Sequence, residues 1–315
     1  MPLLALTGFA TLAGLALAII VLRSPGRDPS APRLTAPAIR STVERHPRLR
    51  AHLRRRFDRS AATGLALTSA VLILVAAATV IGVMAAMVRT HRGLVRYDSS
   101  VAQWATDHAS ASPTTILRLI TQFGGAVLIV PIAVGVALME SLRLRSRAVW
   151  AFLLLVVGGQ FLVANTIKFL VHRARPTLDP LTGFSGASFP SGHATAAAAT
   201  YAAIALLLGT RRSVTTRAIA AGSAVGIAIV IAGTRVLLGV HWLTDVIGGL
   251  VLGWAWFALC SLAFGGRFLR FGAPAEVAAV IAEQVPEPVT AQVGREELST
   301  TGVVGTPTRA HPDRS

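Results

Sequence analysis

The chain has 315 residues, of which 53% are apolar and 14% are charged. Since a soluble domain carries about a quarter charged residues, this composition excludes an ordinary water-soluble enzyme. The formal net charge of +16 favours either nucleic acid or an anionic membrane surface as a partner, and the single cysteine, Cys260, excludes an internal disulfide and a cysteine-based zinc site.

Seven hydrophobic runs approach the roughly 20 residues that a helix needs to span a bilayer. They are residues 3–22, 64–88, 120–139, 148–169, 194–208, 218–238 and 246–264. The fifth run is short, so its first turn would have to lie above the hydrocarbon core. Together the runs predict an all-α polytopic transmembrane bundle, in which one N-terminal transmembrane helix, residues 1–22, precedes a six-helix domain, residues 61–266.

Basic residues cluster in alternate connections between these runs. Eleven arginines lie in residues 23–60, an Arg/Pro-rich linker, and smaller groups lie in residues 143–147 and 211–217 and after the last run. Because excess arginine marks the cytoplasmic side, the linker and a flexible tail, residues 267–315, are predicted to be cytoplasmic. The outer segments are then the N-terminus and residues 89–119, 170–193 and 239–245.

Two alternatives bear on this topology. Residues 1–22 could be a cleaved signal peptide, but no basic n-region follows Met1 and cleavage would leave the linker outside, so a retained helix is favoured. The positive charge could bind nucleic acid, but Phe57 is the one aromatic residue of the linker, whereas such sites interleave aromatic and basic side chains. The charge therefore predicts a membrane protein with no nucleic-acid partner.

Residues 89–119 are too polar to span a membrane. The spacing of Val101, Trp104, Ala105 and His108 by three and four residues predicts a short amphipathic helix on the outer interface. A solvated loop is the alternative for this segment.

Ionisable residues near the ends of membrane spans are costly, so they are candidates for function. In this chain they gather in the outer segments. They are Lys168, His172, Arg173, Arg175, Asp179, His193, Arg235, His241 and Asp245. This concentration predicts a polar site at the outer mouth of the bundle.

The first cluster is a pair of cations. Lys168 and Arg175 are seven residues apart, which on one helix places them nearly on the same face, and Pro176 then ends the helix. Two such cations suit an anion with several oxygens, and arginine adds a planar, two-pronged grip. The alternative is that both side chains only reach toward the interface from a helix end. Lys168 is the one lysine of the chain, which favours a specific role for its ammonium group.

The second cluster lies at the start of the fifth run, and the third lies where the sixth run ends and the seventh begins. Ser191, Gly192 and His193 open the fifth run, where a helix N-terminus offers unpaired N–H groups to a phosphate. His241 and Asp245 are four residues apart, so on one helical face the carboxylate would hold one imidazole nitrogen and leave the other free as a nucleophile. Arg235 precedes them, and a turn is expected between, at Gly239. A plain helix cap and a structural ion pair are the simpler alternatives.

In chain order the three clusters read K-x6-RP, PSGH and R-x5-H-x3-D. This combination resembles the type 2 phosphatidic acid phosphatase family, whose members include lipid phosphate phosphatases and relatives of glucose-6-phosphatase and vanadium haloperoxidases. The resemblance covers residues 64–264. The family commonly has serine before the third-motif arginine, where this chain has Thr234.

The resemblance implies a mechanism and a set of roles. His241 would attack phosphorus and form a phosphohistidine, with Asp245 holding its ring, while His193 protonates the leaving oxygen and then activates water. The phosphate oxygens would be bound by Lys168, Arg175, Ser191, Gly192 and Arg235. No metal and no other cofactor is implied.

The implied substrate is a lipid phosphate or diphosphate that enters from the membrane, such as phosphatidic acid, phosphatidylglycerol phosphate or a polyprenyl diphosphate of the undecaprenyl type. The expected partners are that lipid and the surrounding membrane lipids, and the oligomeric state stays open. His172 and Asp179 are expected to support or gate the pocket, and Arg173 to touch the distal phosphate of a diphosphate. A transporter and a catalytically silent lipid-binding protein of the same fold are the alternatives. Intact His193, His241 and Asp245 favour the enzyme.

Overall fold

The computed structural model describes residues 2–23, 59–108, 111–177, 180–183 and 185–264. These residues form nine α-helices and one short 3₁₀ turn, Gly93–Tyr97, and contain no strand. The helices are α1 Pro2–Arg23, α2 Arg59–Thr90, α3 Asp98–Asp107, α4 Ala111–Gln122, α5 Ala126–Leu144, α6 Ala148–Val171, α7 Gly192–Gly209, α8 Val214–Leu237 and α9 Leu243–Ala263. The predicted linker, apart from its last residues in α2, and the predicted tail lie outside the described residues.

Seven of the described helices, all except α3 and α4, are long and apolar enough to cross a membrane. This finding confirms the predicted polytopic all-α fold. The amphipathic helix predicted around Trp104 is α3, in which Ala105 is buried while Trp104 and His108 stack on each other at the surface, with 4.8 Å between ring centroids. Its position relative to a membrane interface stays a prediction.

The third hydrophobic run is divided by a turn. The sequence predicts a span over residues 120–139, whereas α4 ends at Gln122 and the span α5 begins at Ala126. Gly124 N–H donates to the Thr121 carbonyl at 3.0 Å, and a Cβ on Gly124 would collide with the Ile231 side chain. Hydropathy continues across this glycine turn, so the run alone places the start of the span six residues early.

Helices α7 and α9 pack with almost no space between their backbones. Gly249 and Gly253 of α9 face the carbonyl oxygens of Ser191 and Thr195, and a Cβ at either glycine would collide with them. Small residues allow this close approach, as in other membrane bundles. Both α7 and α9 begin in the predicted motifs, so this contact fixes the second motif against the third.

Helix α1 packs antiparallel against α8. Gly14 meets Gly222 backbone to backbone, while Leu6, nearer the N-terminus, packs against Gly233, nearer the end of α8. The start of α1 therefore lies at the same end of the bundle as the third motif, where Leu3 packs with Leu238.

The connections alternate between two ends of the bundle. At one end, Arg118 Nε donates to the Leu181 carbonyl at 2.7 Å, and Leu181 N–H donates to the Leu238 carbonyl at 3.0 Å. At the other end, Arg143 at the end of α5 donates to the carbonyls of Leu207 and Thr210 at the end of α7, at 2.8 and 3.1 Å. The loops alternate as predicted. Which end faces the cytoplasm stays a prediction from the arginines.

Candidate active site

The three predicted motifs meet at one end of the bundle. Arg175 Nη1 lies 3.1 Å from His241 Nε2, and Ser191 N–H donates to the Asp245 carbonyl at 2.9 Å. His193 lies within the electrostatic reach of Arg235, His241, Lys168 and Arg175. The structure thus brings together residues that the sequence separates by more than 70 positions.

His241 sits on a sharp turn between α8 and α9. Gly239 has φ of +70°, a conformation that favours glycine, which confirms the expected turn. The chain folds back so that His241 N–H donates to the Arg235 carbonyl at 3.2 Å. Because α9 begins only at Leu243, His241 lies before the helix, and the predicted shared helical face of His241 and Asp245 is wrong. The turn brings the two side chains together instead.

The Asp245 carboxylate is fully buried and each oxygen has its own partners. Oδ2 accepts hydrogen bonds from Trp242 N–H at 2.9 Å and from the Ser188 hydroxyl, and it lies 3.4 Å from His241 Nδ1. Oδ1 accepts from Arg173 Nη1 at 2.6 Å. A carboxylate beside Nδ1 favours the tautomer with the proton on that nitrogen. The lone pair of Nε2 then points toward Arg175.

Arg175 belongs to a loop and not to the helix that carries Lys168. Helix α6 ends at Val171, and His172 follows in the left-handed conformation with φ of 48°, so the predicted shared face and the predicted stop at Pro176 are both wrong. The Arg175 guanidinium donates to the carbonyls of Ser185 and Gly186, each at 2.9 Å, and to Val240 at 2.7 Å. These bonds hold Arg175 against the turn that carries His241.

Lys168 approaches the same loop from α6. Its Nζ donates to the Ala187 carbonyl at 2.8 Å, and its chain passes close to Gly192, the first residue of α7.

Burial lowers the pKa of Arg175, whereas the Asp245 carboxylate acts in the opposite direction. The arginine stays protonated at any working pH. Two cations therefore flank the imidazole of His241 and the N-terminus of α7.

Two buried polar atoms of the site lack a hydrogen-bond partner among the described residues. They are Ser191 Oγ and Arg235 Nε. Ser191 occupies the N-cap position of α7. Its hydroxyl does not cap the helix, which argues against the plain helix cap considered from the sequence. Since buried polar atoms are almost always paired, both atoms fit the role of phosphate ligands.

Three further residues, Thr121, Gly125 and Asp98, support the site and belong to none of the three motifs. Arg235 Nη1 donates to Thr121 Oγ1 of α4 at 3.0 Å. The glycine turn before α5 packs on His193, since a Cβ on Gly125 would lie 3.4 Å from His193 Nε2. Asp98, the first residue of α3, forms an ion pair with Arg173 at 2.6 Å. An acidic residue at the start of a predicted helix was the one signal in the sequence for Asp98.

The remaining candidates are Arg173, His172 and Asp179. Arg173 binds Asp98 and Asp245. It therefore does not project toward a distal phosphate, contrary to the prediction. His172 is exposed and packs on Phe169, with 5.2 Å between ring centroids. Asp179 lies outside the described residues.

Comparisons with known proteins identify the family of the chain. The profile of the PAP2 superfamily matches residues 148–268. The chain is 33% identical over 163 residues to phosphatidylglycerophosphatase B of Bacillus subtilis, covering 50% of this chain and 77% of that protein. It is 32% identical over 179 residues to lipid A 1-phosphatase of Rhizobium johnstonii, covering 49% of this chain and 69% of that protein.

The fold also has a solved counterpart. The crystal structure of a transmembrane PAP2-type phosphatidylglycerolphosphate phosphatase from Bacillus subtilis superposes with a TM-score of 0.57 and 28% sequence identity. The superposition covers 62% of this chain and 98% of that one. Helices, motifs and relatives point to one conclusion: the chain belongs to the PAP2 superfamily of membrane lipid phosphatases.

Proposed function

We propose that the protein hydrolyses a lipid phosphate or diphosphate through a phosphohistidine on His241. The observation that carries the proposal is the setting of this imidazole. Nδ1 lies beside the Asp245 carboxylate, and Nε2 lies 3.1 Å from Arg175, among cations that suit a phosphate. A nucleophile and its orienting group are thus in place next to the anion-binding groups.

In the first step, the Nε2 lone pair of His241 attacks phosphorus as the bond to the leaving oxygen breaks, and His193 donates a proton to that oxygen. In the second step, His193 takes a proton from water, which attacks phosphorus and breaks the P–N bond. Each proton and electron pair is accounted for by these two imidazoles and one water molecule.

Positive charge at the transition state would come from side chains. Lys168, Arg175 and Arg235 would bind the non-bridging oxygens, joined by the Ser191 hydroxyl and the Gly192 N–H. Such preorganised donors stabilise the charge of phosphoryl transfer. The proposed reaction therefore needs no metal ion.

An apolar groove supports a substrate with a long hydrocarbon chain. It has a volume of about 880 Å³ between α1 and α8, and Ile120, Phe123 and Ile231 line it next to the glycine turn that packs on His193. Its α8 wall runs from Ile219 to Ile231, a rise of about 18 Å at 1.5 Å per residue. That length exceeds half of the roughly 30 Å hydrocarbon core.

The substrate candidates are phosphatidylglycerol phosphate, phosphatidic acid and a polyprenyl diphosphate. The first is favoured by the name of the Bacillus relative, a phosphatidylglycerophosphatase. The proposed location is the cell membrane, with the site on the extracytoplasmic face and the C-terminus in the cytoplasm, because the arginine-rich connections 143–147 and 211–217 lie at the opposite end of the bundle.

A panel of lipid phosphates tests the proposal. Purified protein in detergent is expected to release phosphate from at least one of the three candidates, and the rate is expected to be unchanged by EDTA. The assay measures free phosphate with time, with protein-free micelles as the control. A requirement for a divalent metal would contradict the mechanism, and no release from any lipid would favour the non-catalytic lipid-binding or transport alternative.

The pH dependence of the reaction follows from the state of His241. Burial lowers the pKa of His241 from 6.5 to about 4; Arg175 and Arg235 act in the same direction, and Asp245 opposes them. Protonation removes the attacking lone pair, so activity falls as pH drops through this value. The acid limb of kcat/KM, which reports the free enzyme, is expected near pH 4. A limb near 6.5 would contradict a buried, neutral nucleophile.

A further inference from the structure

Asp98 is a buried carboxylate that lies outside the segment matched by the PAP2 profile. It is the first residue of α3 and is 2% exposed. Its Oδ1 accepts from the backbone N–H of Thr244 at 3.0 Å, and its Oδ2 accepts from Thr244 Oγ1 at 2.6 Å. Asp98 thus binds the first turn of α9, one residue before Asp245.

Arg173 connects this carboxylate to the candidate active site. Nη2 donates to Asp98 Oδ2 at 2.6 Å, while Nη1 donates to Asp245 Oδ1 at 2.6 Å and to Thr244 Oγ1 at 2.7 Å. The side chain is 9% exposed and lies over the Trp242 ring at 5.5 Å. A planar guanidinium suits this bridge between two carboxylates because its donors have a fixed geometry.

The bridge determines how Asp245 can rotate. Arg173 holds Oδ1, so Oδ2 is left to face Trp242 N–H, Ser188 and His241. The Thr244 hydroxyl donates to Asp98 and therefore accepts from Arg173, which fixes the direction of every hydrogen bond in the group. A one-residue change at Asp98 would loosen Arg173 and, through it, the carboxylate that orients the imidazole.

The charges lead to the same expectation. Asp98 and Asp245 share the single charge of Arg173. Without the Asp98 carboxylate, Arg173 would neutralise Asp245 alone, which would weaken the support that Asp245 gives to the positive charge on the attacking imidazole. At metal sites, mutation of a group that orients a ligand from behind typically costs about 10–100-fold in affinity or activity, and we expect an effect of the same size for a group that orients a nucleophile.

We propose that Asp98 is a positioning residue for His241, acting through Arg173 and Thr244 on Asp245. The proposal rests on the phosphohistidine mechanism above. It assigns to α3, which lies outside the segment matched by the PAP2 profile, a part in the chemical step.

Asp98→Asn is expected to lower kcat by about 10–100-fold while KM for the lipid changes less than about threefold. Asp98 is buried and is not one of the proposed phosphate ligands. If it only stabilised the fold, its replacement would reduce the amount of folded enzyme and leave kcat per folded molecule intact. Folded enzyme is measured by gel filtration and by the thermal midpoint. The matched control is Asp107→Asn on the same helix, whose exposed carboxylate binds only Gln103 among the described residues, and it is expected to match wild type.

Thr244→Val is a milder second variant if Asp98→Asn does not fold, because it removes the bridging hydroxyl at nearly constant volume. A loss of about tenfold in kcat with little change in KM is expected. Unchanged kcat in a folded variant of either residue would overturn the inference while leaving the proposed function intact. Wild-type protein that releases no phosphate would overturn both.

Discussion

Replacing His241 with alanine is expected to abolish phosphate release, with a loss in kcat of about 10⁴-fold or more, as for other enzymes that lose a covalent nucleophile. The imidazole is 2% exposed and is held between Asp245 and Arg175, and alanine leaves no nucleophilic atom at that position. The measurement is phosphate release from the best lipid of the panel. His108→Ala, which removes an exposed imidazole stacked on Trp104, is the matched control and should retain full activity.

The variant His193→Ala separates the two chemical steps. With an aryl phosphate, whose leaving group needs no proton, the first step should proceed while the second stalls, because water lacks its base. Alkaline quenching, under which phosphohistidine survives, should then reveal phosphate on His241. Label on another residue, or equal labelling of the His241→Ala protein, would contradict the assignment.

Asp245→Asn is expected to lower kcat by up to about 10⁴-fold, the loss typical when an amide replaces the carboxylate behind a catalytic histidine. An amide can accept from Trp242 N–H but cannot serve Arg173 and His241 as an anion. The imidazole would then lose both its orientation and the charge that stabilises the phosphohistidine. Steady-state rates with the lipid, together with phosphoenzyme formation, measure this effect.

Glu140→Gln provides a control for loss of a buried carboxylate. Glu140 is 1% exposed, accepts from Arg143 Nε at 2.6 Å and lies at the opposite end of the bundle. This variant should lose stability but keep its kcat per folded molecule. Equal losses of kcat in Asp245→Asn and Glu140→Gln would show that Asp245 acts only through folding.

The number of spans could be predicted from sequence because a membrane helix needs a long apolar run and little else. The division of the third run could not, since the close packing of Gly124 in the turn before α5 is against Ile231, a residue about 100 positions later. Arg143 illustrates a similar limit. In the sequence this arginine is only a marker of the cytoplasmic side. In the structure it also donates to the terminal carbonyls of α7, a contact that composition cannot predict.

The members of the site were predictable because their types and spacing form three motifs. Their geometry was not. The spacing of Lys168 and Arg175 suggested one helix face, but α6 ends between them and loop carbonyls hold Arg175 in place. Asp98 belongs to no motif, because its role arises only when α3 packs against the start of α9.

The contact between α1 and α8 has a consequence for biosynthesis. Gly14 and Gly222 meet backbone to backbone, yet about 200 residues separate them in the chain. At about 5–20 residues per second, roughly 10–40 s pass between the emergence of the two helices from the ribosome. During that interval the small-residue face of α1 must be covered by lipid or by the insertion machinery. Among the described helices, α1 is made before the others and is yet among the last to find its partner.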